Sequence, residues 1–136
     1  MNPRRLAVVL AVSVVAVGCS DRGTEPEPGG VGGVGSVSYA ADVQPVWNAQ
    51  CVGCHGAGGS GGLDLRSPDS RANLVGVASA NWTGDLVVAG EPENSVLYLK
   101  LTGAPGVGDS MPQGGTLDAD ALETVRRWIA DGAPDN

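Results

Sequence analysis

The chain has 136 residues and a formal net charge of −7, and its 22 Gly, 9 Pro and no Phe leave it short of bulky core residues. That composition argues against a large enzyme with a deep, close-packed interior. The negative charge argues against a nucleic-acid binder that works by neutralising phosphates. A single small acidic domain with an N-terminal leader is what remains.

Arg4 and Arg5 precede an uncharged, mostly apolar run of 12 residues, 6–17. This suits a signal-peptide core and falls short of the ~20 residues a spanning helix needs. The run ends in Ala16-Val17-Gly18-Cys19, which resembles the bacterial lipobox, whose Cys is acylated and becomes the new N-terminus. The other reading is an ordinary secretory peptide followed by a free Cys. Residues 1–18 are therefore predicted to be a lipoprotein-type signal peptide. Attachment to a membrane is through a lipid on Cys19, not a spanning helix. Ser20 in place of Asp favours the outer membrane, facing the periplasm. Cleavage removes two of the eight basic residues and leaves six against 15 acidic ones, a net charge of −9. Residues 19–37 are rich in Gly, Pro and Glu. They bury too little apolar surface to offset ordering entropy and read as a flexible tether spanning roughly 20–25 Å.

Residues 38–136 form the predicted domain. Asp42 reads as an N-cap with Pro45 tolerated in the first turn, and Val43, Val46 and Trp47 fall on one face running up to Cys51. Ser67-Pro68 reads as the start of a short helix carrying Leu74. Ser95 opens another, with Leu97 and Leu101 in register and Gly103 at its end. The last helix is the clearest. Asp118 caps it, Leu117 and Leu122 can staple its entry, Leu122, Val125 and Ile129 line one face with Trp128 beside it, and Gly132 stops it. Val87-Val88 reads as a scrap of extended chain.

Cys51-Val52-Gly53-Cys54-His55 carries the chemistry. C-x-x-C-H is the attachment signature of c-type haem: two thiols add to the vinyl groups and the adjacent His reaches the iron. A structural zinc would need four ligands, and the mature chain offers Cys51, Cys54, the abutting His55 and the distant Cys19. A redox-active Cys51–Cys54 disulfide would need a βαβ context that is missing. Under the haem reading three cysteines divide into two for haem c and one for lipid. His55 is the only His, so two-histidine ligation within the chain is excluded, and Met111 is the only Met after cleavage. Its thioether suits ferrous iron as a distal ligand, and His/Met ligation raises the potential. Met111 sits in a polar, Gly-rich stretch, Gly108-Asp109-Ser110-Met111-Pro112-Gln113-Gly114-Gly115, unlike a gap-filling core Met. Lys100 is the one amine side chain that could stand in for it.

The chain resembles the class I mono-haem cytochromes c in their short bacterial form. The resemblance lies in Asp42-Val43-Gln44-Pro45-Val46-Trp47 before the haem motif, Gly90-Glu91-Pro92-Glu93-Asn94-Ser95-Val96-Leu97-Tyr98, Met111-Pro112-Gln113-Gly114-Gly115, and Leu117 and Leu122 with Trp128-Ile129-Ala130-Asp131-Gly132-Ala133. It covers nearly all of residues 38–136. It implies an all-α fold of short helices around one covalently bound haem, with the N- and C-terminal helices crossing so that Val46 or Trp47 packs near Trp128 and Ile129. His55 would be the proximal iron ligand and Met111 the distal one. Many members orient the proximal imidazole with a Pro carbonyl, and Pro68 falls in that stretch. Arg71 and Trp82 are offered as propionate contacts, with surface and core residues as their other readings. Leu63, Leu65, Leu97 and Leu101 are offered as haem-packing or ordinary core residues.

The resulting expectation is a periplasmic electron carrier without substrate chemistry, passing single electrons between a donor and an acceptor protein. Its alternatives are an open-site haem protein, peroxidase-like or gas-sensing, and a fixed relay subunit of a larger oxidoreductase. With one Lys and five Arg against 15 acids, the mature chain favours a basic or neutral partner face. The flat porphyrin would supply core that the composition lacks, so the haem-free chain is expected to be largely unfolded.

Overall fold

The chain that leads to the cysteine pair coils without interruption from Tyr39. The computed structural model describes residues 35–136; the expected signal peptide, Cys19 and most of the expected tether lie outside the described residues. A wide π-helical turn, Tyr39–Val43, continues as helix α1, Gln44–Gln50. The wide turn answers Pro45, which has no N–H and whose ring would press on the carbonyl four residues back in a regular helix. Here the Val43 N–H reaches the Ser38 carbonyl at 3.3 Å and the Gln44 N–H reaches that of Tyr39, each five residues back.

Asp42 is not the N-cap. Ser38 is: its Oγ accepts from the Ala41 N–H at 3.2 Å, and Asp42, one turn inside, accepts from the Ser38 N–H at 2.8 Å. Ser38 Oγ also donates to the Asn136 carbonyl at 2.9 Å, a tie across 98 residues that no local pattern announces. Val37, which composition assigns to the tether, is buried in the core, and Asn136 Nδ2 donates to its carbonyl at 3.3 Å.

Helix α2, Val96–Thr102, follows a 3-10 turn at Pro92–Asn94 and ends at Gly103, whose φ of +67° is the left-handed stop. Ser95 is its N-cap by position, but its hydroxyl accepts from the Val88 N–H and donates to the Glu91 carbonyl, each at 2.9 Å. It ties down the preceding loop instead of capping. Helix α3, Ala119–Ala130, opens as expected, with Asp118 Oδ1 accepting from the Ala121 N–H at 2.8 Å. Its Val125, Trp128 and Ile129 are wholly buried, and such side chains each contribute about 1.5–3 kcal/mol of burial.

The Ser67-Pro68 helix does not form. Residues 67–74 make consecutive turns, with isolated bonds such as Ser70 N–H to Arg66 carbonyl at 3.1 Å. Two polar side chains there are claimed by distant partners: Ser70 Oγ by Gln44, and Asn73 Nδ2 by the Asp64 carbonyl at 2.9 Å. Leu74 is nevertheless fully buried. Among the described residues β-pairing amounts to the isolated bridges Val75–Val87, parallel, and Ala78–Asp85, antiparallel. The described residues are thus all-helical with loops, and none of their helices is long and apolar enough to cross a membrane.

The opening turn packs against α3. Tyr39 makes the junction: its ring meets that of Trp128 with centroids 4.9 Å apart, and its hydroxyl accepts from Trp47 Nε1 at 3.2 Å. The opening turn, ahead of α1, makes the meeting with α3, and Tyr39 links Trp47 to Trp128 where the resemblance placed Val46 or Trp47 directly beside it.

Candidate haem site

Past Gln50 the Cys51 N–H still reaches the Trp47 carbonyl at 2.9 Å, and the His55 N–H reaches the Cys51 carbonyl, again four residues back, at 2.8 Å. Residues four apart in a helical turn share a face. Cys51 and His55 accordingly line one cavity of about 540 Å³, whereas Cys54 is exposed beside it. Leu63, Leu65, Leu97 and Leu101 supply aliphatic wall, and Trp82 and Met111 complete the lining. Cys51 is half-buried and its thiol is pushed up to about 11, first by burial and then by the neighbouring Cys54, so it is a neutral thiol at pH 7. Both Cys51 and Cys54 are free thiols.

The imidazole of His55 is oriented from behind. Its Nδ1 lies 2.9 Å from the Ser60 carbonyl. A carbonyl only accepts, so Nδ1 carries the proton and Nε2 keeps its lone pair free for a metal. The chain reverses within five residues to achieve this. Ser60 N–H bonds the Cys54 carbonyl at 3.0 Å, and Gly59 passes so close that a Cβ there would stand 2.5 Å from the Cys54 carbonyl oxygen and 2.7 Å from the Gly56 nitrogen. The orienting carbonyl is therefore Ser60's and not Pro68's. Pro68 is exposed and does not line the cavity. The run of glycines after His55 signals a tight return, but nothing in it marks which carbonyl the ring meets.

Arg71 also lies elsewhere. Its Nε and Nη2 donate to the Ala133 carbonyl at 2.9 and 2.6 Å and its Nη1 faces Asp135 at 3.9 Å, so it clamps the segment after α3 and lines no part of the cavity. Trp82 does line it, 36% exposed, with Leu97 buried opposite solvent in α2. Lys100, the substitute amine, is engaged: its Nζ donates to the carbonyls of Val107 and Asp109 at 2.8 and 2.6 Å. Asp64 at the rim is held down to about 2 by its hydrogen bonds from Arg66, 2.7 Å away.

Among the described residues no group of three or more His, Cys, Asp or Glu is placed to hold a metal ion, and Cys19 lies outside them. A larger concavity of about 660 Å³, beside α3, is lined by Arg126 and Arg127. Both are spent, Arg126 on Glu123 at 2.7 Å and Arg127 on the Gly35 carbonyl at 3.0 Å.

No protein-family model matches this chain, and no curated protein matches it. Among solved structures it is similar to Kuenenia stuttgartiensis hydrazine synthase, with a TM-score of 0.47 and 24% identity over 71% of this chain and 16% of that one. The chain thus spans about a sixth of that protein's length.

Proposed function

We propose that residues 38–136 are a mono-haem c-type cytochrome domain that carries single electrons between proteins in the periplasm, tethered to the outer membrane by a lipid on Cys19. The observation that carries the reading is the wall formed by Cys51 and His55, with the His55 Nδ1 proton fixed on the Ser60 carbonyl, in a cavity that Met111 also lines. These residues fit haem c. Cys51 and Cys54 would hold it through thioethers, and His55 Nε2 and Met111 Sδ would be its iron ligands. Haem c supplies one-electron cycling between ferric and ferrous iron. The aliphatic wall of Leu63, Leu65, Leu97 and Leu101 would exclude water from the bound group. With His55 and Met111 both given to the iron, no position would be left for a substrate, so the group would supply electron transfer and not substrate chemistry. The acidic mature chain, −9 by residue count, favours a basic or neutral partner face.

The deciding experiment is the optical spectrum of the exported protein, oxidised, reduced, and reduced with carbon monoxide. A low-spin spectrum, a ferric Met-to-iron charge-transfer band and indifference to carbon monoxide are expected. Met111→Ala should lose the band, lower the potential and admit carbon monoxide. A wild-type protein that takes up carbon monoxide has an open iron, which overturns the carrier role. Absence of haem overturns the whole reading. Cys51→Ser or Cys54→Ser should weaken haem retention under denaturing extraction, and Cys19→Ala should release a soluble protein. Stable co-purification with one larger oxidoreductase would make the domain a fixed relay.

A further inference from the structure

Helix α2 presents Leu97, Lys100 and Leu101 to the cavity, and a cation between two leucines on such a wall is out of place unless it is held. Lys100 is held, and it holds in turn. Its ammonium donates to the carbonyls of Val107 and Asp109 at 2.8 and 2.6 Å, while its own carbonyl accepts the Met111 N–H at 2.9 Å. The same ammonium lies 5.2 Å from the centroid of the Trp82 ring. Gly108, between the two bonded carbonyls, has φ +69°, and a Cβ there would stand 2.7 Å from Trp82 Cη2. The indole therefore rests directly on the loop backbone at the point where the ammonium grips it.

We propose that Lys100, Trp82 and Gly108 form a latch that positions Met111, a role that rests on reading Met111 as the iron ligand. The segment from Gly103 to Met111 needs such a device. Gly103, Gly106 and Gly108 all take positive φ, and glycines lose the most backbone freedom when ordered. One residue supplies both anchors, the Met111 end through its backbone and the middle through its charge. Lys100 acts through the loop and is a positioning residue.

The test uses the full exported protein with Lys100→Met, which keeps length but removes the donors, Lys100→Arg, which keeps donors, and Gly108→Ala, which drives a methyl into the indole. Hydrogen exchange at the Met111 amide, which donates to the Lys100 carbonyl, and the ferric band with carbon monoxide uptake are read on each. Lys100→Met should speed exchange roughly tenfold or more, as expected for losing charged hydrogen bonds, weaken the band and admit carbon monoxide. Gly108→Ala should do the same, and Lys100→Arg should retain most of the wild-type behaviour. Wild-type exchange rates in Lys100→Met and Gly108→Ala overturn the latch whatever ligates the iron. Faster exchange with an unchanged band overturns the positioning role. A wild-type protein that itself admits carbon monoxide overturns the ligand reading instead, and exchange alone then decides whether the latch exists. If Lys100→Met does not fold, Gly108→Ala carries the same decision.

Discussion

Removing one oxygen, in Tyr39→Phe, tests the packing argument at its centre. The Tyr39 hydroxyl accepts from Trp47 Nε1 at 3.2 Å and donates to Ser70 Oγ at 2.7 Å, and Ser70 donates onward to Gln44 Oε1. Trp47 and Ser70 are both at 0% exposure, so water cannot replace the lost partner. The ring, and its contact with Trp128, survives the substitution. What is lost is two buried hydrogen bonds, with the indole N–H left unpaired, at a cost of about 2–3 kcal/mol. Against a total stability of roughly 5–15 kcal/mol that is a large fraction. It corresponds to a fall in Tm of roughly 10–20 °C for a domain of this size. Urea unfolding of the haem-loaded protein should show a lower midpoint with an unchanged slope. Ser70→Ala should cost a similar amount, and the double variant less than the sum, because the two share a bond. A shift below about 0.5 kcal/mol in Tyr39→Phe would refute the claim that this network closes the core.

Gly59→Ala should cost about 1–3 kcal/mol, because its Cβ would meet the backbone of Cys54 and Gly56 and no rotamer can relieve that; the His55 Nδ1 proton should then exchange faster by NMR. Asp118→Ala should destabilise by about 1 kcal/mol through loss of the α3 N-cap, with Asp118→Asn restoring most of it in the same unfolding assay. Asp64 should titrate near 2 by carboxyl NMR. Its folded value is depressed, so the contribution of its pair with Arg66 is complete above the unfolded value of 3.8 and is lost as the pH falls through about 2. High salt should weaken that pair because it is solvent-exposed.

Helices α2 and α3 are legible because their signals are local. Ser95 and Gly103 bracket the first, and Asp118 with the Leu122, Val125, Ile129 spacing defines the second. The shared face of Cys51 and His55 follows from their four-residue spacing once the turn after α1 is known to keep a four-back hydrogen bond. The remainder depended on where polar side chains end up across long separations. Ser38 displaces Asp42 as cap while also bonding Asn136, and Ser70 and Asn73 serve distant partners where a helix was expected. Arg71 turns to Ala133, 62 residues away, and not to the cavity. Ser60 is illegible for a different reason: it acts through its backbone carbonyl, which every residue has. Tyr39 carried no recognisable signal in the chain, yet it joins both ends of the core.

The two proposed iron ligands hang from separate systems, and that separation can be tested. Gln44 Nε2 donates to the Leu65 carbonyl at 3.0 Å, and the Leu65 N–H donates to the His55 carbonyl at 2.9 Å. The Tyr39–Ser70–Gln44 network therefore reaches His55 through one residue. Met111 is reached through Lys100 and the loop beyond α2, which share no hydrogen-bond partner with that network. Tyr39→Phe should accordingly lower global stability while leaving the iron closed to carbon monoxide, and Lys100→Met should open the iron at a smaller cost to unfolding. Combined, their unfolding effects should add to within about 0.5 kcal/mol. A coupling well above that would mean that the Met111 arm and the His55 wall move together, and that the core network sets both.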